Sequence, residues 1–350
     1  MTTVEVTASR SYRVEIGHSL LSSLGRHVEA LGSVQKALIV SDSNVWPLYG
    51  EQVQASLARS GIETVSFLIA AGEESKNVEN YLAILGELAE NHLTRSDVIV
   101  ALGGGVVGDL AGFAAATWLR GIRFVQVPTT LLAAVDASVG GKTGIDLSAG
   151  KNLVGAFWQP SLVLCDVDTL NTLPMETFRD GCAEVIKTAV LFDPELFAIL
   201  CRDGLAFDRE QVIARCVSHK RDIVAADEFE QGERRKLNLG HTVGHCVELL
   251  SNFAVSHGNA VSIGMAVTAR AAVKMGLAPR ETATKIQWLL MSFDLPRTVR
   301  CTAADLALAA RSDKKCTGGD ITLVIPEQIG SSRLYSMSLD DLQEFMEAGL

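Results

Sequence analysis

The segment Asp97–Asp109, DVIVALGGGVVGD, constrains the fold more than any other part of the chain. Asp97 to Leu102 is a β-branched, apolar run that reads as a buried strand. Gly103, Gly105 and Gly108 follow at GxGxxG spacing, and after Asp109 comes LAGFAAATWL, a run of small residues suited to a close-packed helix. A strand, a glycine turn and a helix start let backbone N–H groups approach a pyrophosphate at a helix N-terminus. Glycine suits such a turn because a Cβ would block the approach and because φ > 0 is often needed there. No acidic residue stands about 20 positions further on to hold a ribose; Gln126 and Pro128 are found instead. The motif by itself indicates a glycine turn in an α/β sheet, and its context favours a dinucleotide.

The first half alternates strand and helix patterns. Thr3–Ile16 reads as a hairpin, Ala37–Val40, Thr64–Ile69, Val98–Leu102, Phe124–Val127 and Leu162–Cys165 as strands, and Pro47–Ser60 and Asn77–Asn91 as helices. This alternation predicts a mainly parallel, Rossmann-like sheet with helices on its faces. Ligands in such sheets bind at the carboxyl ends of strands, and Asp42, Glu73, Gly103–Asp109 and Thr129-Thr130 all follow predicted strands. Beyond Pro174 the period becomes helical, with segments beginning near Glu176, Pro194, Glu210, His241, Asn259, Arg280 and Ala303. Ile321–Ile325 and Ser332–Tyr335 could pair as a small hairpin. The expected organisation is an α/β domain over 1–173 and an all-α domain over 174–350.

Length and charge narrow the function. A chain of 350 residues can build two cores. Its net charge of −10 argues against a nucleic-acid or anionic-membrane surface. Seven cysteines, an odd number without CxxC, fit reduced thiols in a cytoplasm. The opening MTTVEVTASRSYRVEIG has no basic region followed by an apolar one, so no signal peptide is expected. The most apolar window, Val98–Ala116, contains Asp109 and several glycines and reads as core, not as a membrane span.

The helical half holds the densest polar cluster: Asn238, His241 and His245, then His257 and Asn259. His241 and His245 are four apart and share a helix face. Glu184 lies in an apolar helix with Lys187 one turn later. Imidazoles and a carboxylate are a sensible set for Zn²⁺ with one open position, but spacing does not say which of them bind. A second set is basic: Arg120, Lys142, Lys151 beside Asn152, Lys187, Lys220, Arg234, Lys314 and Lys315. Such cations could hold a phosphate and a carboxylate, arginine in bidentate fashion.

The block GGGVVGDLAGFAAATWLRGIRFVQVPTTLLAAVDASVGGKTGIDLSAGKNLVGAFWQP, with AEVIK, LNLGHTVGH, SHGNAV and SDKK, closely resembles the 3-dehydroquinate synthase family over essentially the whole chain. The resemblance implies an N-terminal NAD-binding α/β domain, a C-terminal helical domain carrying Zn²⁺ or Co²⁺, and a homodimer. It implies conversion of a phosphorylated sugar acid, 3-deoxy-D-arabino-heptulosonate 7-phosphate, to 3-dehydroquinate and phosphate in the shikimate route.

Matched by motif, the metal ligands would be Glu184, His241 and His257, leaving His245 for substrate. NAD contacts would be Asp42, Glu73, Lys76, Gly105, Val106, Val107, Gly108, Asp109, Thr129, Thr130, Thr169, Leu170, Asn171 and Thr172, with Lys142 and Lys151 beside them. The substrate would meet Arg120, Asp136, Lys142, Lys151, Asn152, Lys187, Lys220, Arg234, Asn238, His245 and one of Lys314 or Lys315.

In the family, NAD⁺ takes a hydride from the sugar and later returns it. Phosphate leaves in between, and an intramolecular aldol step closes the ring. The metal polarises the transient ketone, and cations stabilise the departing phosphate.

Two departures stand out. Asn259 replaces a glutamate common in HGE, which removes one carboxylate able to orient a ligand. Ala70-Ala71 precedes Gly72 where a proline is common, which bears only on loop rigidity. The alternatives are sugar phosphate cyclases acting on sedoheptulose 7-phosphate or glucose 6-phosphate, and metal-dependent alcohol dehydrogenases, which would release NADH.

Overall fold

A computed structural model describes residues 1–311 and 319–350; Lys314, Lys315 and Cys316 lie outside the described residues. The chain forms two compact units, Met1–Pro174 with Arg209–Phe229, and Met175–Asp208 with Glu230–Leu350. The Arg209–Phe229 segment thus departs from the expected contiguous division at 173/174. Its helix packs with the first unit, and helical periodicity says nothing about which unit a helix will join.

The first unit is built on a seven-stranded sheet. β1 (Thr2–Val6) and β2 (Tyr12–Gly17) form the expected antiparallel hairpin. β3 (Lys36–Asp42), β4 (Glu63–Ile69), β5 (Val98–Gly103), β6 (Arg123–Pro128) and β9 (Leu162–Asp166) run parallel, in the order β1-β2-β9-β6-β5-β3-β4. β3, β5 and β9 are almost wholly buried, which is why they read as continuous apolar runs and not as alternations. From β3 the chain steps outward to β4 and then returns to β5 on the other side. The crevice at that reversal, beyond the carboxyl ends of β3 and β5, is where such sheets receive ligands.

Helices α1 (Leu24–Glu29), α2 (Trp46–Arg59), α3 (Val78–Glu90) and α4 (Gly105–Thr117) connect the strands. β7 (Lys142–Leu147) and β8 (Gly150–Phe157) form a separate two-stranded ribbon that the periodicity did not reveal, because β8 is largely exposed and glycine-interrupted.

The second unit holds α5 (Met175–Phe192) and α6 (Pro194–Asp203). The next helix, α7 (Arg209–Ala226), belongs to the first unit. There Thr2 Oγ1 donates to Glu210 (2.8 Å), and Gln159 Nε2 donates to Glu228 (2.8 Å) just past the helix end. The second unit continues with α8 (His241–Leu250), α9 (His257–Lys274), α10 (Arg280–Ser292), α11 (Ala303–Ala310) and α12 (Leu342–Gly349). It is largely but not wholly helical: β10 (Asp320–Gln328) and β11 (Ser331–Ser338) pair antiparallel, where the sequence pattern allowed a hairpin. Its core includes Val243, Val267, Leu306, Ile325 and Phe345. Among the described residues, no helix is long and apolar enough to cross a membrane.

Candidate functional site

In the second unit, glycines decide how closely the site helices approach. Gly258 sits against α5 so tightly that a Cβ there would lie 1.9 Å from the Asp180 carbonyl oxygen. A Cβ on Gly264 would lie 1.9 Å from the Gly240 carbonyl, and Gly240 itself has φ of +79°, a conformation glycine adopts without strain. Asp180 also accepts hydrogen bonds from the Asn259 N–H (2.9 Å) and the Ser256 hydroxyl, which anchors the start of α9 to α5.

This packing brings three side chains from three helices together. Glu184 Oε1 is 3.6 Å from His241 Nε2 and 3.5 Å from His257 Nε2. One donor atom from each of the three lies within 4.8 Å of the others. A tetrahedral ion with bonds near 2.1 Å has ligand–ligand edges of about 3.4 Å, so the spacing and the two-imidazole, one-carboxylate chemistry fit a divalent transition metal. The His241 Nδ1 contact to the Leu239 carbonyl (3.2 Å) leaves Nε2 as the nitrogen turned toward Glu184. Burial opposes a charge on His257, but hydrogen bonds to Glu184 and Glu248 outweigh it and raise the imidazole to about 10. The position therefore has the negative potential that a cation requires. Lys187, also fully buried, pairs with the second oxygen of Glu184. His245 lies beside this group, its ring centroid 5.5 Å from that of His241. Arg234 is fully buried in the turn Glu233–Asn238, and Asn238 Nδ2 donates to Glu230 Oε1 (2.8 Å).

In the first unit, the glycine turn follows β5, as expected, and lies at the sheet reversal; of the two reasons expected for its glycines, positive φ does not apply. None of Gly103, Gly104, Gly105 and Gly108 has positive φ. Space constrains Gly103 instead: a Cβ there would lie 2.6 Å from Val107 Cγ2 and 2.8 Å from Val107 Cβ. Asp42 Oδ1 accepts the Asn44 and Val45 N–H groups (2.8 and 3.0 Å), shaping the turn after β3. The Thr129 N–H donates to the Gly103 carbonyl (3.0 Å), so the ends of β5 and β6 are linked. Thr130 Oγ1 accepts the Ala133 N–H (3.2 Å). The Tyr49 hydroxyl contacts Thr172 Oγ1 (2.5 Å) and donates to the Thr169 carbonyl (3.1 Å), pinning the Val167–Asn171 turn and Thr172 to α2. Tyr49 escaped the sequence reading because nothing in a helix pattern marks a hydroxyl that reaches 120 residues away.

Five charged groups gather beside α4. Buried Lys76 Nζ is 2.8 Å from Glu73, 3.4 Å from Asp109 and 3.7 Å from Asp146, and Lys151 is 3.8 Å from Glu73. Burial raises the Asp109 carboxyl to about 6, against the pull of Lys76 and with the help of Glu73 and Asp146. Burial also raises Glu73, but Lys76 and Lys151 more than offset it and its net shift is downward. Asp146 was not among the expected site residues. Its carboxylate accepts the Asn152 N–H (2.7 Å), and Asn152 stands at φ +53°. Elsewhere in this unit Lys220 pairs with the Asp136 carboxylate and donates to its carbonyl (2.7 Å), while Arg120 and Lys142 are exposed.

Residues 66–180 match the family model described as 3-dehydroquinate synthase N-terminal, and residues 181–316 that described as 3-dehydroquinate synthase C-terminal. The chain belongs to the 3-dehydroquinate synthase family. It is 42% identical to a 3-dehydroquinate synthase of Enterococcus faecalis over 97% of this chain and 96% of that protein. It is 46% identical to one from Pelobacter propionicus over 95% of each. Among solved structures it resembles a 2-epi-5-epi-valiolone synthase from Streptomyces hygroscopicus with NAD⁺ and Zn²⁺ bound (TM-score 0.89, 29% identity, 99% of this chain and 97% of that one). A 2-deoxy-scyllo-inosose synthase in complex with carbaglucose-6-phosphate, NAD⁺ and Co²⁺ matches with a TM-score of 0.90 at 24% identity, covering 100% of each chain, which is a likeness of fold. An iron-containing alcohol dehydrogenase shares the fold more distantly (TM-score 0.71, 14% identity, 99% of each chain).

Proposed function

We propose that this chain is an enzyme of the lyase class that converts 3-deoxy-D-arabino-heptulosonate 7-phosphate to 3-dehydroquinate and phosphate. The observation that carries the reading is 42–46% identity to 3-dehydroquinate synthases along almost the full length of both chains. Metal-binding chemistry at Glu184, His241 and His257 supports it. Bound NAD⁺ and a divalent Zn²⁺ or Co²⁺ would supply hydride acceptance and return, and polarisation of a substrate oxygen.

The first unit is the proposed NAD-binding domain. Gly105 to Asp109, Asp42 and Thr129-Thr130 lie at the carboxyl ends of β3, β5 and β6, where backbone donors and small side chains admit a pyrophosphate. Lys76 and Glu73 form a preset charged pair beside Asp109, suited to orienting ribose hydroxyls. Thr169 to Thr172 are held for the same task by Tyr49.

In the second unit Glu184, His241 and His257 would hold the metal. Lys187 steadies the Glu184 carboxylate, and His245, beside the metal set, would face substrate. Arg234 supplies a desolvated guanidinium for the substrate carboxylate. Arg120, Asp136, Lys142, Asn152, Lys220, Asn238 and one of Lys314 or Lys315 complete the proposed substrate set by family motif. A homodimer and a cytoplasmic location belong to the same reading.

The test supplies the heptulosonate phosphate with Zn²⁺ and NAD⁺ far below substrate concentration. Dehydroquinate and phosphate should form in equal amounts, many per NAD⁺ present. One NADH accumulating per phosphate would favour an alcohol dehydrogenase. Equally efficient cyclisation of sedoheptulose 7-phosphate would reduce the reading to the wider group of sugar phosphate cyclases.

A further inference from the structure

Glu248 has no part in the reading above. It lies on α8 seven residues beyond His241 and three beyond His245, so all three share one helix face. It is buried, with 4% of its surface exposed. Its Oε2 lies 3.5 Å from His257 Nδ1, while His257 Nε2 lies 3.5 Å from Glu184 Oε1. The imidazole therefore stands between carboxylates from two helices, with one nitrogen toward each.

An imidazole that binds a metal has lost one proton of its cationic form and carries only one. With that proton on Nε2, the nitrogen facing Glu184 and His241 has no lone pair to give. With it on Nδ1, Nε2 presents a lone pair toward them. A carboxylate at Nδ1 selects the second arrangement and makes Nε2 more basic. His241 obtains the same service from the Leu239 carbonyl. His257 begins α9 and its side chain is one-third exposed, against 11% for His241, so its ring has more need of an external restraint.

We infer that Glu248 is a positioning residue for His257: it accepts the Nδ1–H, sets the tautomer and ring orientation, and so tunes metal affinity without touching the metal. Asn259 gives its N–H to Asp180, and Glu248 brings an orienting carboxylate from a different helix.

This inference rests on the metal reading above. The test measures Zn²⁺ affinity of the full chain by competition with a chromogenic chelator, for the parent, Glu248→Gln and Glu248→Met. Glutamine keeps an acceptor but loses the charge, and methionine loses both. Outer partners of metal-bound histidine typically account for about 10–100-fold in affinity, so Glu248→Gln should bind about tenfold more weakly and Glu248→Met approach a hundredfold. The Co²⁺ absorption spectrum should change in shape, and the urea midpoint of the chelator-treated chain should not follow the same order. If Glu248→Met does not fold, Glu248→Gln decides alone. A Glu248→Gln variant that binds Zn²⁺ within twofold of the parent, with an unaltered Co²⁺ spectrum, overturns the inference. A parent chain that binds no stoichiometric Zn²⁺ would instead overturn the metal reading.

Discussion

Gly258→Ala should disable the proposed metal site without altering any of its three proposed ligands. The new Cβ would start 1.9 Å from the Asp180 carbonyl oxygen and 2.6 Å from its carbon. Ordinary contact begins at 3.4 Å, so α9 and α5 must separate by about 1.5 Å (3.4 − 1.9). The obstructing atoms are backbone, and in α5 that carbonyl is the i−4 acceptor of the Glu184 N–H. The shift therefore acts between His257, one residue from Gly258, and Glu184. Metal bond lengths tolerate about ±0.2 Å, several times less than the displacement.

Overpacking of this kind costs about 1–3 kcal/mol of stability. We expect a lower urea midpoint and metal content well below one equivalent after dialysis against dilute Zn²⁺. Gly86→Ala is the control. Gly86 lies within α3, nothing stands within 4 Å of its added Cβ, and alanine is the better helix former by about 0.5–1 kcal/mol. It should leave metal binding unchanged and raise stability slightly. Stoichiometric metal and parental stability in Gly258→Ala would refute the packing argument.

His241→Ala should remove metal retention and activity together; stoichiometric tight metal in that variant would exclude His241 from the ligand set. Arg234→Ala should lower kcat/KM for the carboxylated sugar by about 2–5 kcal/mol, the range for losing one partner of a desolvated charged pair, with Zn²⁺ and NAD⁺ titrations unchanged; a loss below fivefold would place the carboxylate elsewhere. The Asp109 carboxyl, raised in the folded chain to about 6 from 3.8, holds more protons folded than unfolded between those values. Unfolding free energy without NAD⁺ should therefore fall as pH rises from about 4 to about 6 and then level off. Asp109→Asn should remove that portion of the slope, and urea titrations of both forms across this range would show whether it does.

Period and composition were enough for most elements. Buried parallel strands such as β3 and β5 appear as unbroken apolar runs, and α8 and α9 as helical stretches, because both patterns arise from local geometry and burial. Family membership was legible for a related reason: glycines, lysines and histidines at fixed spacings leave a long recognisable string. Spacing could not decide which histidines converge. His241 and His245 share a face, yet His241 and His257, from different helices, meet Glu184. That outcome depends on how closely α5, α8 and α9 approach, which Gly240, Gly258 and Gly264 set through contacts between residues distant in the chain. The same holds for Arg209–Phe229, a helical segment by sequence whose membership of the first unit is a matter of packing partners. Glu248 stood in plain view in HTVGHCVE, seven residues from His241. Only the tertiary structure turns it toward His257, because the face it shares with two histidines becomes informative once a third arrives from another helix.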